Sequence, residues 1–143
     1  MKSPREVIES HYAAVDRRDA GGMIAHLDAD IVWQEATGSP VGGTRAGIGA
    51  VRDEVFATLA AQFPEWTVAI DELIVEGDTV IGLGSFAATS RKTGRAVVTR
   101  VAQVWRVRDG KAVRFEHILD TDVLVDSMTV RAPSTGSSAQ CTE

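Results

Sequence analysis

A chain of 143 residues, 44% hydrophobic and 24% charged, has the composition of one globular domain with a packed core rather than of a disordered segment. Its net charge of -5 and pI near 5.2 argue against nucleic acid and anionic membranes as partners, since both need clustered Lys and Arg. No apolar run reaches the roughly 18 residues of a membrane span, MKSPREVIES lacks the apolar stretch of a secretory signal, and the one cysteine, Cys141, has no partner, so a cytoplasmic protein held together by packing is expected.

Ser3-Pro4-Arg5-Glu6 joins a capping serine, a proline at the first helical position and a glutamate three residues after the cap, a strong helix start. Val7, Ile8, His11, Tyr12 and Val15 follow at helical spacing, an apolar stripe with two polar tips that should run to about Arg18. Asp19 can cap a second, shorter helix through Met23, Ile24 and Leu27, weakened by Gly21 and Gly22. Asp30-Ile31-Val32-Trp33-Gln34-Glu35 reads as a strand that ends in a loop at Gly38-Ser39-Pro40-Val41-Gly42-Gly43. Residues 47–62 hold a helical period through Ile48, Val51, Val55 and Leu59, and Pro64 closes the segment.

Beyond Pro64 the pattern changes to strands over residues 66–75, 79–90, 96–108 and 112–121, separated by Glu76-Gly77-Asp78, Lys92-Thr93-Gly94 and Asp109-Gly110. Helices first and a long antiparallel meander afterwards define an α+β fold, in which about three helices from the N-terminal half cover one face of a curved, mainly antiparallel sheet. Residues 1–130 are expected to form one domain and residues 131–143, rich in Ser, Thr, Gly and Pro, a polar tail.

Strand alternation identifies inward-facing polar groups. Val113, Phe115, His117 and Leu119 share one face of the last strand, and Val101, Gln103, Trp105 and Val107 share one face of the strand before it. Where that face meets the helices, Gln103 and His117 are buried together, and each must find a partner or lose on the order of 1 to 3 kcal/mol. A ligand or water can supply one, and so can a neighbouring core residue. Histidine exchanges protons near neutral pH. Glu35 follows Trp33 by two and projects to the same side, either into a cavity mouth, where a carboxylate can take a proton from beside a carbonyl, or into solvent at a strand end. Tyr12 is either a hydrogen-bond donor to a ligand or a core tyrosine with a satisfied hydroxyl.

The order of elements, with Asp28-Ala29-Asp30-Ile31-Val32-Trp33, Glu76-Gly77-Asp78-Thr79-Val80, Thr93-Gly94-Arg95 and Trp105-Arg106-Val107-Arg108-Asp109-Gly110-Lys111, resembles the SnoaL-like polyketide cyclases of the nuclear-transport-factor-2-like superfamily, over residues 4–128. The resemblance implies a cone-like sheet, a pocket between sheet and helices, and a homodimer through the outer sheet face. It leaves the chemistry open, because the same fold serves ketosteroid isomerase, scytalone dehydratase, epoxide hydrolases and binding modules. It also implies roles. His117, six residues after Lys111, falls where the cyclases carry their acid/base aspartate, and Gln103 where they carry a helper histidine. Glu35 is similar in position to the general base of ketosteroid isomerase, with Ala36 replacing the proline that follows it there, and Tyr12 lies near that family's oxyanion-stabilising tyrosine. Gln103 stands where that family has a second, acidic oxyanion donor. Gly84 and Phe86 occupy the positions of the arginine and aspartate of limonene epoxide hydrolase, so that activity is not expected.

The sequence thus nominates Glu35, His117, Gln103 and Tyr12 as catalytic residues and Trp33, Trp105, Phe115 and Phe56 as cavity walls around a hydrophobic, carbonyl-containing small molecule. Asp120 and Asp122 read as structural or dimer-side carboxylates. No metal is expected, since His11, His26 and His117 lie far apart without paired ligand spacing. No nucleotide cofactor is expected, since Gly42-Gly43-Thr44 and Gly47 form a loop without the lysine of a phosphate cradle. The alternatives are a non-catalytic binding module with the same pocket, or an oligomerisation domain whose interior is filled.

Overall fold

The first helix forms where the capping signals stand. Ser3 accepts from the Glu6 backbone N–H and Glu6 accepts from the Ser3 N–H, so two otherwise unpaired amides are satisfied at the start of α1 (Pro4–Asp16). Asp19 caps α2 (Ala20–Ala25) through the Gly22 N–H. The computed structural model describes residues 1–131, so most of the expected tail lies outside the described residues. After α2 come β1 (Leu27–Glu35), β2 (Gly43–Ala46), α3 (Ile48–Ala50), a π-helical stretch (Val51–Phe56) and α4 (Ala57–Gln62). The meander follows as β3 (Thr67–Glu76), β4 (Thr79–Thr89), β5 (Ala96–Arg108) and β6 (Lys111–Leu119), and α5 (Thr121–Met128) closes the described chain.

The strands form one curved, unclosed sheet in the order β2-β1-β6-β5-β4-β3, antiparallel throughout except for the parallel pair β1 and β6. That crossover brings the first strand of the chain beside the last one. Val7, Ile8 and Val15 of α1 are buried with Val80, Val101, Trp105 and Phe115 of the sheet, which makes the helix layer and the sheet's inner face a common core.

Four expectations need correction. The glycine-rich loop ends in a strand: β2 pairs with β1 from Val32–Ala46 to Glu35–Gly43, because an edge strand needs only backbone groups on one side. The third helix is interrupted, since residues 51–56 widen into the π form, and Val51 and Val55 nevertheless stay fully buried. Alternation on β6 fails at one place. Val107 pairs with Ala112 and Arg106 with Arg114, leaving Val113 as an extra residue, so Ala112 takes the inward position assigned to Val113. From Phe115 onward the expected phase holds.

The expectation for the last strand also ran too far. Asp120 is the cap of α5, its carboxylate accepting from the N–H groups of Asp122 and Val123, a structural role. Thr93 and Arg95, in the turn before β5, hold the carbonyls of Ser127 and of Asp126 and Thr129, which docks α5 against the sheet.

Candidate active site

Register explains how distant residues meet. Gly82 of β4 pairs with Gln103 of β5, and Gln103 pairs with His117 of β6. On the far side of β6 the parallel pairing runs Trp33–Phe115 and Gln34–Glu116, so Glu35 is the next residue of β1 alongside His117. One transverse row of the inner face therefore reads Gly82, Gln103, His117, Glu35. The adjacent row reads Val80, Trp105, Phe115, Trp33, an apolar floor in which the Trp33 and Phe115 rings lie 3.9 Å apart and those of Trp105 and Phe115 4.5 Å apart.

The polar row is one hydrogen-bonded chain. Trp105 Nε1 donates to the Tyr12 hydroxyl at 2.9 Å, and that hydroxyl donates to Gln103 Oε1 at 2.7 Å. Gln103 Nε2 lies 3.2 Å from His117 Nε2, and His117 Nδ1 lies 2.9 Å from Glu35 Oε1. Trp33 Nε1 donates to Glu35 Oε2 at 2.8 Å. Because the tyrosine hydrogen fixes which end of Gln103 is carbonyl, its amide must donate to His117 Nε2. His117 then carries its hydrogen on Nδ1 and gives it to Glu35, whose carboxylate accepts from an imidazole and an indole. With Gln103 in this orientation every contact of the row has a donor and an acceptor.

Tyr12 reaches Gln103 because the sheet is bare beneath it. A Cβ on Gly82 would stand 2.5 Å from the Tyr12 hydroxyl oxygen, so only glycine lets the helix-borne phenol settle on this row. Burial pushes the Tyr12 pKa up, with the Trp105 N–H opposing it, so the phenol stays protonated. Burial likewise drives His11 down to about 4, against a smaller opposing contribution from the Met23 carbonyl, which lies 2.9 Å from His11 Nδ1, while His26 adds to the fall.

Glu35, His117, Gln103 and Tyr12 all line one cavity, together with Trp33, Phe56 and Phe115. Trp105, expected as a wall, is fully buried and not itself a lining residue; its ring packs on Phe115 and His11 and its indole N–H holds Tyr12. Sequence reasoning missed Trp66, Leu59 and Phe86 among the lining residues, and His11 beside Tyr12. For His11 the signal was there, in the apolar stripe of α1. The inward placement of Phe86 rested on the alternation of β4, which buries Val80, Gly82, Gly84 and Phe86. The cavity volume is about 40 Å³, room for one or two waters, so a larger ligand must displace side chains such as Phe56 and Leu59 at the π-to-α junction. Among the described residues no cluster of His, Cys, Asp and Glu is arranged to hold a metal ion, and no helix is long and apolar enough to cross a membrane.

A curved sheet of this order, with an N-terminal helical layer over a hollow that holds a hydrogen-bonded polar row, defines the nuclear-transport-factor-2-like class. Within it the chain belongs to the SnoaL-like domain family, whose profile matches residues 8–115. It is 38% identical to an NTF2-like protein from Burkholderia thailandensis E264, over 91% of this chain and 100% of that one, with a TM-score of 0.88. An NTF2-like protein of unknown function from Burkholderia pseudomallei K96243 is 31% identical over 91% of this chain and 100% of its own, with a TM-score of 0.80. TerC, whose structure was determined with polyporic acid, is 29% identical over 88% of this chain and 98% of its own, with a TM-score of 0.80. No curated protein matches the sequence.

Proposed function

We propose that the chain is a cofactor-independent acid/base enzyme acting on a hydrophobic, carbonyl-containing small molecule, with His117 as the proton carrier and Glu35 as its partner. The observation that carries this reading is the 2.9 Å contact between His117 Nδ1 and Glu35 Oε1, buried among aromatic rings. A carboxylate bound to one imidazole nitrogen fixes the tautomer and stabilises the imidazolium formed when the other nitrogen takes a proton.

The step balances within the cavity. The bond between an acidic carbon and its hydrogen breaks, the proton goes to His117 Nε2, and the electron pair moves into the adjacent carbonyl, leaving charge on oxygen. For this, Gln103 first turns one N–H hydrogen bond from the imidazole lone pair to the carbonyl oxygen, which leaves Nε2 open to the proton, and its second N–H is free of partners among the described residues. Tyr12 contributes by holding Gln103 Oε1, since its own hydrogen is committed there. Return of the proton to another atom gives isomerisation, and attack of the enolate carbon on a second carbonyl gives aldol-type cyclisation; loss of a neighbouring hydroxyl gives dehydration. The co-crystallisation of TerC with polyporic acid supports a small organic ligand for this chain as well.

The competing reading is a module that binds such a molecule without converting it. In its favour, every member of the polar row has a partner inside the protein and the cavity is small. Native mass spectrometry with a panel of aromatic and cyclic ketones separates the two. A ligand released with changed mass or isomer composition, and released unchanged by His117→Ala, supports the enzyme; unaltered release from the native protein in every case overturns it. We further take the outer face of β5 and β6, where Val98 is 67% and Ile118 50% exposed, as the contact with a second copy of the chain. The lone cysteine fits work in the cytoplasm.

A further inference from the structure

His11 is the one titratable side chain of the cavity wall that the proton-transfer scheme leaves unused. It is 6% exposed and stands on α1 one residue before Tyr12, with its ring centroid 4.8 Å from that of Trp105. Its Nδ1 is taken by the Met23 carbonyl of α2, and a carbonyl only accepts, so the hydrogen of the neutral ring sits on Nδ1. Nε2 is consequently a bare acceptor. It has no hydrogen-bond partner among the described residues. Nor is it one of the wholly enclosed unpartnered atoms, which are His26 Nδ1 and Gln62 Oε1, so a small probe can reach it.

The cavity has polar capacity of both kinds left over. On the acceptor side stand His11 Nε2 and the spare lone pairs of the Glu35 carboxylate; on the donor side stand the second N–H of Gln103 and the indole N–H of Trp66. A hydrocarbon ketone fills the donor side alone and strips water from the His11 acceptor, which is unfavourable for a buried group. A ligand with a hydroxyl satisfies that acceptor. Burial keeps His11 neutral down to about pH 4, so the acceptor persists through the physiological range.

We infer that this cavity selects a hydroxylated ring compound, a phenol or enol, whose O–H is donated to His11 Nε2 while its carbonyl side faces Gln103 and His117. The inference rests on the cavity being a ligand site, and it names the class of molecule that site takes. His11 is here a specificity residue, not a carrier of the transferred proton.

Phenol and anisole test it, since they share a ring and an oxygen and differ in the O–H. Binding is followed by the indole fluorescence of Trp33 and Trp66, and the ring nitrogens of His11 by imidazole-selective nitrogen-15 spectra. The native protein should bind phenol about three- to tenfold more tightly than anisole, the span of one net neutral hydrogen bond. His11→Phe keeps an aromatic ring on α1 and should bring the ratio close to one. In the native protein the Nε2 resonance should move toward the protonated position with phenol and stay in place with anisole, a reading that needs no variant to fold. An unchanged ratio in His11→Phe, or an Nε2 resonance indifferent to phenol, overturns the hydroxyl inference alone. Failure of both probes to bind the native protein saturably overturns the ligand site with it.

Discussion

His117 Nδ1 lies 2.9 Å from Glu35 Oε1 although the two residues are 82 apart in sequence, and the contact exists because β1 and β6 run parallel. The rest of the row is fixed by antiparallel register and by the one glycine that makes room for Tyr12. Several consequences can be measured.

Gly82→Ala should be destabilising. The new Cβ would meet the Tyr12 hydroxyl at 2.5 Å, and the phenol is held on its other sides by Trp105 and Gln103. Overpacking of this kind costs typically about 1 to 3 kcal/mol. In a Tyr12→Phe background the clashing oxygen is gone, so the same substitution should cost less there. Urea denaturation of the four proteins of that cycle checks the non-additivity.

His11 makes stability depend on pH in a defined direction. Its folded-state pKa is lowered from 6.5 to about 4, so between these values the unfolded chain binds the proton that the folded chain refuses. The contribution is complete above about pH 6.5 and is lost as pH falls toward 4, amounting to about 3 kcal/mol. His11→Phe should show a flatter decline than the native protein across this window, as followed by denaturant midpoints at successive pH values. Equal slopes for both would show that this imidazole does not titrate with folding.

The outer sheet face should hold two copies together. Ile118→Lys places a charge in the exposed apolar patch that also includes Val98 and Val123, and it should convert a dimer to a monomer in sedimentation while leaving the thermal unfolding of the monomer fold intact. A native protein that sediments as a monomer at all concentrations would remove this surface from the account.

Much of this architecture was legible in the sequence. The capping box at Ser3, the cap at Asp19 and the two-residue period of β5 and β6 are local signals, and they put Gln103 beside His117 on the inner face. The partner of His117 was not legible as such. Glu35 could be placed on the same side of its strand as Trp33, with a cavity mouth and solvent both open to it, and its meeting with His117 depends on a parallel crossover that no local pattern encodes. Other features were missed for physical reasons that differ. β2 is four residues long with little apolar content, and its pairing is carried by backbone groups. The bulge at Val113 inserts a residue that alternation cannot foresee. The π stretch keeps the apolar spacing of an ordinary helix. α5 was not read as a helix, because the residues before it continue a strand pattern with no glycine or proline to mark the change; in the structure Asp120 is its cap and Leu124 its buried anchor.

The most direct test is proton exchange at carbon. In heavy water, the native protein should catalyse deuterium incorporation beside the carbonyl of a cyclic hydroxyketone or hydroxyquinone drawn from a panel. His117→Ala should abolish that exchange, and Glu35→Gln should slow it by roughly two orders of magnitude or more, the scale of general acid/base assistance. Exchange that continues at the native rate in His117→Ala, with the protein folded, would contradict the assignment of the proton to this imidazole.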